Sequence, residues 1–374
     1  MLIPLFSPTI RRSEMDAVLT CLVEEKVGPG EMVVRLEKKV SEFFGVPAAV
    51  ALRSPAIALE MALQLLQLPS QAKVALSALA PCWQYIVLKR LNYIPLVLDV
   101  DRQTALVTLN EVERAISEGA QVLLLHETLG NVPSLDFFSH VGIPIIEDIS
   151  QSAGAEFLNP EESIEQTEAT VASSSESDSQ AMDTNVSTDN QMRRKAGTHG
   201  VFTILGLEEH DMLTGGGGAI LFVSDKRNVG PLKKVASELP STDRLPDINA
   251  ALGFVQLKNA KKNREIKRTM ETAFRRALLS TKHTAFVFAQ EIVNPVFSFP
   301  IVLERGFKEV ERYTQKKQIE IALAFTDSVV AYCGETLTAC ENAKSLLLRT
   351  VLFPLYPRLG TKVELVGKVI STLP

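Results

Sequence analysis

Two short runs constrain what the first half of this chain can become. Gln121-Val-Leu-Leu-Leu125 and Ile143-Pro-Ile-Ile-Glu-Asp148 are almost continuously apolar rather than alternating. A strand with one wet face alternates polar and apolar residues. A strand buried on both faces does not, and that setting belongs to parallel sheets covered by helices. Ala48–Leu52, Val74–Ala78 and Ile94–Val100 are further strand candidates. Segments with helical spacing lie among them. Met15, Val18, Leu19 and Leu22 share one face over residues 11–24, and Val33, Leu36, Val40, Phe43 and Phe44 share another before Gly45. This alternation predicts an open α/β sheet.

At 374 residues there is room for two domains. After Val223 the chain leaves the sheet pattern, and a boundary near residue 240 is expected, with a large domain over 1–240 and a small α/β domain over 241–374. A helix is expected from Leu245 to about Leu279, and its basic stretch from Lys258 to Arg276 reads as a solvated face. Residues 158–194 interrupt the large domain. Their Ser, Thr, Glu, Asp and Gln content, with eight acidic residues and no basic one before Met192, reads as a disordered acidic insertion.

The net charge of −5 argues against a nucleic-acid partner. Cys21, Cys82, Cys333 and Cys340 have neither metal-ligand nor redox spacing, so they read as free thiols and no metal is expected. The basic pair Arg11-Arg12 follows the short apolar start, the reverse of a secretory signal. No apolar run reaches the roughly 18 residues of a membrane span. The expectation is a soluble cytoplasmic protein with no membrane partner.

Three features could carry chemistry. Asp148 ends a buried strand, and in open parallel sheets ligands bind beyond the carboxyl ends of strands. Gln151 follows within reach of the same ligand. Ser54, before Pro55, suits either a helix N-cap or a phosphate site at that helix start. The third feature is the stretch from Val201 to Val223, which reads as strand, polar loop, four glycines (Gly215–Gly218) and strand. It lacks the lysine and hydroxyl of a nucleotide P-loop.

In order, these pieces resemble the DegT and StrS type sugar-nucleotide aminotransferases, pyridoxal phosphate (PLP) enzymes of fold type I. The matching segments are Ile3-Pro-Leu5, Val27-Gly-Pro-Gly-Glu31 with Leu36–Val46, Pro95-Leu-Val-Leu-Asp-Val-Asp101, His126-Glu-Thr-Leu-Gly130, Ile146–Ala155, Arg244 with Leu245–Gly253, and Leu352-Phe-Pro-Leu-Tyr-Pro357. The resemblance implies PLP as cofactor, a keto sugar of a nucleotide sugar as substrate, a role in polysaccharide synthesis, and a homodimer. It implies that Asp148 pairs with the ring nitrogen, that Gln151 lies near the ring hydroxyl, that Ser54 holds the phosphate, and that Arg244 faces the partner's site.

The chain departs from that pattern where it matters most. The Schiff-base lysine position falls on His210, and no lysine lies between Lys195 and Lys226. Glu208 and Glu209 add negative charge, and the phosphate turn reads Ser54-Pro-Ala56. The ring-stacking position falls near Pro81 or Trp83. Thr203 is the candidate for a hydroxyl missing at Leu205. These departures count against PLP binding and predict a catalytically impaired or inactive member, a pseudoenzyme. The alternatives are a PLP or PMP sugar dehydratase with His210 as base, an active aminotransferase with a displaced lysine, and a role in ligand binding or assembly without PLP. Deleting residues 160–192 is expected to leave the thermal unfolding midpoint unchanged in a circular dichroism melt.

Overall fold

The apolar runs lie inside a seven-stranded sheet in the computed structural model, which describes residues 2–158 and 193–374. Most of the expected insertion lies outside the described residues. The strands are β1 (Ala48–Leu52), β2 (Lys73–Ser77), β3 (Ile94–Leu98), β4 (Ala120–His126), β5 (Ile145–Asp148), β7 (Phe202–Gly206) and β8 (Ala219–Val223). Their order is β1-β8-β7-β5-β4-β2-β3. The five from β7 to β3 run parallel, with Ile146 beside Phe202 and Leu124 beside Ile146. β8 runs antiparallel to both β7 and β1. The loop after β7 returns the chain beside it, which forces that reversal. At Gly218 (φ +118°) any side chain would overlap Leu245 and crowd the Leu52 carbonyl, so this turn requires glycine.

Alternate strand residues feed opposite faces, as a pleat demands. On one face Leu76, Leu124, Ile146, Ile204 and Leu221 pack with helices α3 (Pro55–Leu66), α4 (Cys82–Arg90) and α7 (Val229–Glu238). On the other, Leu123 and Leu125 meet α5 (Leu109–Ser117) and α6 (Leu135–His140). Farther along that face, Leu205, Ile220 and Phe222 meet α2 (Glu31–Phe44) and the long helix α8 (Asp247–Leu278). α1 (Arg12–Val23) also lies along α8.

The C-terminal third builds a three-stranded antiparallel sheet from β10 (Phe299–Val302), β12 (Thr350–Phe353) and β11 (Ala322–Leu323). Its core joins Phe299, Val351 and Phe353 to Phe274 of α8 and to Val366 and Ile370 of α12 (Lys362–Ile370), with α9 (Phe307–Lys316) supplying Val310. A two-stranded pair, β6 (Glu156–Phe157) with β9 (Ile292–Val293), ties the two regions. Two further helices, α10 (Val329–Cys333) and α11 (Glu341–Arg349), pack on the large sheet instead, through Val329, Val330, Ala343 and Leu346. All four cysteines are free thiols. No helix among the described residues is long and apolar enough to cross a membrane.

Asp247 locks the start of α8 to the start of α2. It is 2% exposed, and its carboxylate accepts N–H bonds from Gly30 at 2.9 Å and Val33 at 3.0 Å. A helix start leaves unsatisfied donors, and here a side chain from another helix satisfies them. Asp247→Ala strands the buried Val33 amide and releases that of Gly30, and is expected to cost about 2 kcal/mol of stability, measured by urea unfolding.

Candidate functional site

Asp148 emerges at the carboxyl end of β5, between β4 and β7. The sequence admits a solvated carboxylate there, but the structure buries it to 1% exposure. Four hydrogen bonds hold it. Ser150 donates to Oδ1 from its amide (3.1 Å) and its hydroxyl (2.5 Å), while Gln84 Nε2 (2.6 Å) and His126 Nδ1 (2.9 Å) reach Oδ2. Burial pushes this carboxyl up. The His126 charge and hydrogen bond, with the Ser150 bonds, outweigh it and hold the group below the ordinary range.

Gln84 was not legible as a site residue. It lies in the first turn of α4, is fully buried, and leaves its Oε1 without a partner among the described residues. His126 could be found only as part of the His126–Gly130 segment. Gln151 sits nearby with a bond of its own, its Oε1 accepting the Leu129 amide at 2.6 Å. That bond braces a turn in which Leu129 (φ 53°) and Gly130 (φ 84°) are both left-handed.

The remaining candidates make other contacts. Ser54 caps α3, accepting the Ile57 amide at 3.3 Å. Thr203 is paired in register with Glu147, not Asp148, so the pleat turns it to the opposite face. Its hydroxyl donates to the Gly197 carbonyl at 2.8 Å, so it does not join the Asp148 group. Arg244 is exposed beyond β1, donating to the Ala236 carbonyl at 3.2 Å, and its charge acts on Glu37. His210 is exposed, with its ring edge-on to Phe6 at 4.5 Å. It lines a cavity of ≈ 910 Å³, partly open to solvent, whose walls include Phe6, Asp211, Ser298 and Tyr356. Asp148 is not part of that wall.

Asp211, beside His210, accepts the Glu208 amide at 2.8 Å and stands against Gly206 and Ser150. Burial, with the charges of Asp148 and Glu208, pushes its carboxyl up to about 8. Two more buried carboxylates adjoin this group, Glu147 next to Asp148 in the chain and Glu127 next to His126. Glu147 takes the amides of Gly197, His199 and Gly200, and Glu127 takes the Ser152 hydroxyl. Among the described residues no three His, Cys, Asp or Glu side chains are arranged to hold a metal.

This donor set does not fit PLP. A ring nitrogen at Asp148 would need a free acceptor direction and open space. Four donors already fill the carboxylate, and one of them is the fully buried Gln84 at 2.6 Å. Pro55 removes an amide from the α3 start. Lys195, the nearest lysine before the loop, stands over the Phe43 ring at 5.2 Å.

Burial, then the Glu147 charge, raises the Glu127 carboxyl well above its ordinary value. A value raised in the fold means stability is full below about pH 4.3 and falls as pH climbs from there. Glu127→Gln keeps the shape and removes the titration. It is expected to flatten that decline in urea unfolding measured across pH.

Comparison with known proteins places the chain. The sequence model of the DegT/DnrJ/EryC1/StrS aminotransferase family matches residues 8–373. An uncharacterized protein of Methanocaldococcus jannaschii is 24% identical over 161 residues, which span 41% of this chain and 41% of that relative. Among solved structures, a Streptococcus pneumoniae protein assigned as a sugar aminotransferase, in its PMP form, superposes with TM-score 0.82 at 16% identity, covering 100% of this chain and 97% of that one. The aminotransferase TlmJ of Streptoalloteichus hindustanus gives 0.80 at 17%, covering 99% and 98%. E. coli GDP-4-keto-6-deoxy-D-mannose-3-dehydratase with bound hydrated PLP gives 0.80 at 17%, covering 99% and 100%. At these identities the structural likeness establishes the fold, a mostly parallel α/β sheet of the fold-type I kind, while the family match spans nearly the whole sequence. The chain belongs to the DegT/DnrJ/EryC1/StrS aminotransferase family.

Proposed function

We propose that this chain is a member of its family that has lost lysine-imine transamination and keeps the scaffold for a role in polysaccharide synthesis. One observation carries the reading: Asp148, the carboxylate a pyridinium would need, is closed off by Gln84. The absence of lysine between Lys195 and Lys226 supports it, as does the acidic loop Glu208-Glu209-His210-Asp211. A nucleotide-linked sugar remains the ligand class, by descent. The expected cytoplasmic setting and the division near residue 240 belong to the same proposal.

The assembly we infer is a homodimer. α1 exposes Met15 (49%), Leu19, Leu22 and Val23 (82%) at helical spacing, an apolar stripe suited to a second copy. Arg244, exposed beyond β1, is then free to face the partner.

A second reading keeps the cofactor and gives His210 the proton transfer, as in a sugar dehydratase. Its support is that His210 opens onto the ≈ 910 Å³ cavity. One titration separates the readings. The expected result is no new absorbance band when PLP is added to the purified protein. A band that resists borohydride would favour His210 as base. A band lost to borohydride, with a lysine modified, would overturn the main proposal.

A further inference from the structure

Lys267 is a buried cation without an anion. It is 8% exposed, two-thirds of the way along α8, and its Nζ meets Met212 Sδ at 3.4 Å. No carboxylate among the described residues lies within 4 Å of it. Glu271, one turn on, is held by Arg275 at 2.9 Å. Isolating an ammonium this way is unfavourable. Burial lowers the Lys267 amine to about 8, partly opposed by the more distant charge of Glu271, so it stays mostly charged at neutral pH.

Its side chain reaches a cavity of ≈ 620 Å³, partly open to solvent, between α2, α8 and the segment after β5. The wall carries Lys195, Lys261, Arg264 and Lys267 against one carboxylate, Glu156. Arg193 (3.9 Å) and Arg264 (3.7 Å) already share that carboxylate. Arg264 also donates to the Gly154 carbonyl at 2.9 Å, which fixes its guanidinium at the cavity edge. Lys195 has only the Phe43 ring close by and no carboxylate within 4 Å among the described residues. Gln84, His126, Asp148 and Gln151 take no part in this wall.

We propose that this cavity binds a phosphate-bearing anion, with Lys267 as its buried cation and Lys195 and Arg264 at its edge. The charge count selects the ligand class. One carboxylate ligand would leave most of the surplus positive charge unanswered, whereas a phosphate dianion offers three oxygens to several N–H donors. The three donors of the Lys267 ammonium now have one thioether between them, and a phosphate gives them oxygen. The proposal uses neither Asp148 nor His210, although Lys267 and Met212 also line the cavity onto which His210 opens.

The test is isothermal titration of the full chain at constant ionic strength with inorganic phosphate, uridine monophosphate and acetate. Saturable binding of both phosphates and none of acetate is expected. Tighter binding of the nucleotide identifies a phosphorylated metabolite as the ligand, and equal binding identifies free phosphate. Lys267→Met keeps most of the side-chain volume and is expected to weaken phosphate at least tenfold. Lys195→Met is expected to weaken it severalfold and covers the case in which the core variant fails to fold. Lys258→Met, an exposed site on the same helix, is expected to stay within twofold of the parent. No saturable binding, acetate binding as well as phosphate, or equal losses in all three variants would overturn the proposal.

Discussion

A carboxylate at 1% exposure survives in a folded protein only where donors replace the water it has lost. The end of β5 is organised around that requirement. His126 arrives from β4, Gln84 from α4 and Ser150 from the next turn, and each reaches Asp148. Ser150 in turn accepts the Gly206 amide at 2.9 Å, tying the end of β7 to the same carboxylate. Three strands and a helix are thereby referenced to one side chain. Glu147 does the same on the opposite face, gathering the amides of the segment that leads into β7. The chemistry-bearing end of the sheet is a charge-compensation network, and the loop that carries His210 hangs from it.

The fold was far more legible than the site. Continuous apolar strands and amphipathic helices are local patterns, and Val122–Leu125 and Ile145–Asp148 became the buried centre of the sheet. The antiparallel return of β8 was not readable, because strand direction depends on where a loop goes. Ser54 was open between capping and phosphate binding, and the observed bond is the cap. Thr203 was chosen by distance along the chain from Leu205, but strand pleating sends residue 203 to the Glu147 side. Gln84 gave no signal at all. Its role arises only when α4 is laid across the end of β5, 64 residues later in the chain. Lys267 was hidden inside a basic helix that reads as a solvated face. Such a face is averaged over many residues, and the one lysine that turns inward cannot be told from its neighbours by composition.

Family membership and site chemistry therefore rest on different residues. The family match spans residues 8–373, strands, turns and helices alike. Reaction chemistry in such a fold rests on a few side chains at strand ends. Here Gln84, His126 and Ser150 all bond Asp148.

Gly218 has one more consequence. Its backbone fits against Leu245 and Leu52 with no room for a side chain, so the course of the β7–β8 connection is set by steric exclusion at its last residue. Position 210 contributes no constraint of that kind, because it is exposed and contacts Phe6 edge-on. The course of this loop is thus set at one residue and left open at another. A chain built this way accepts a change at position 210 without loss of form, so its outline carries little information about turnover.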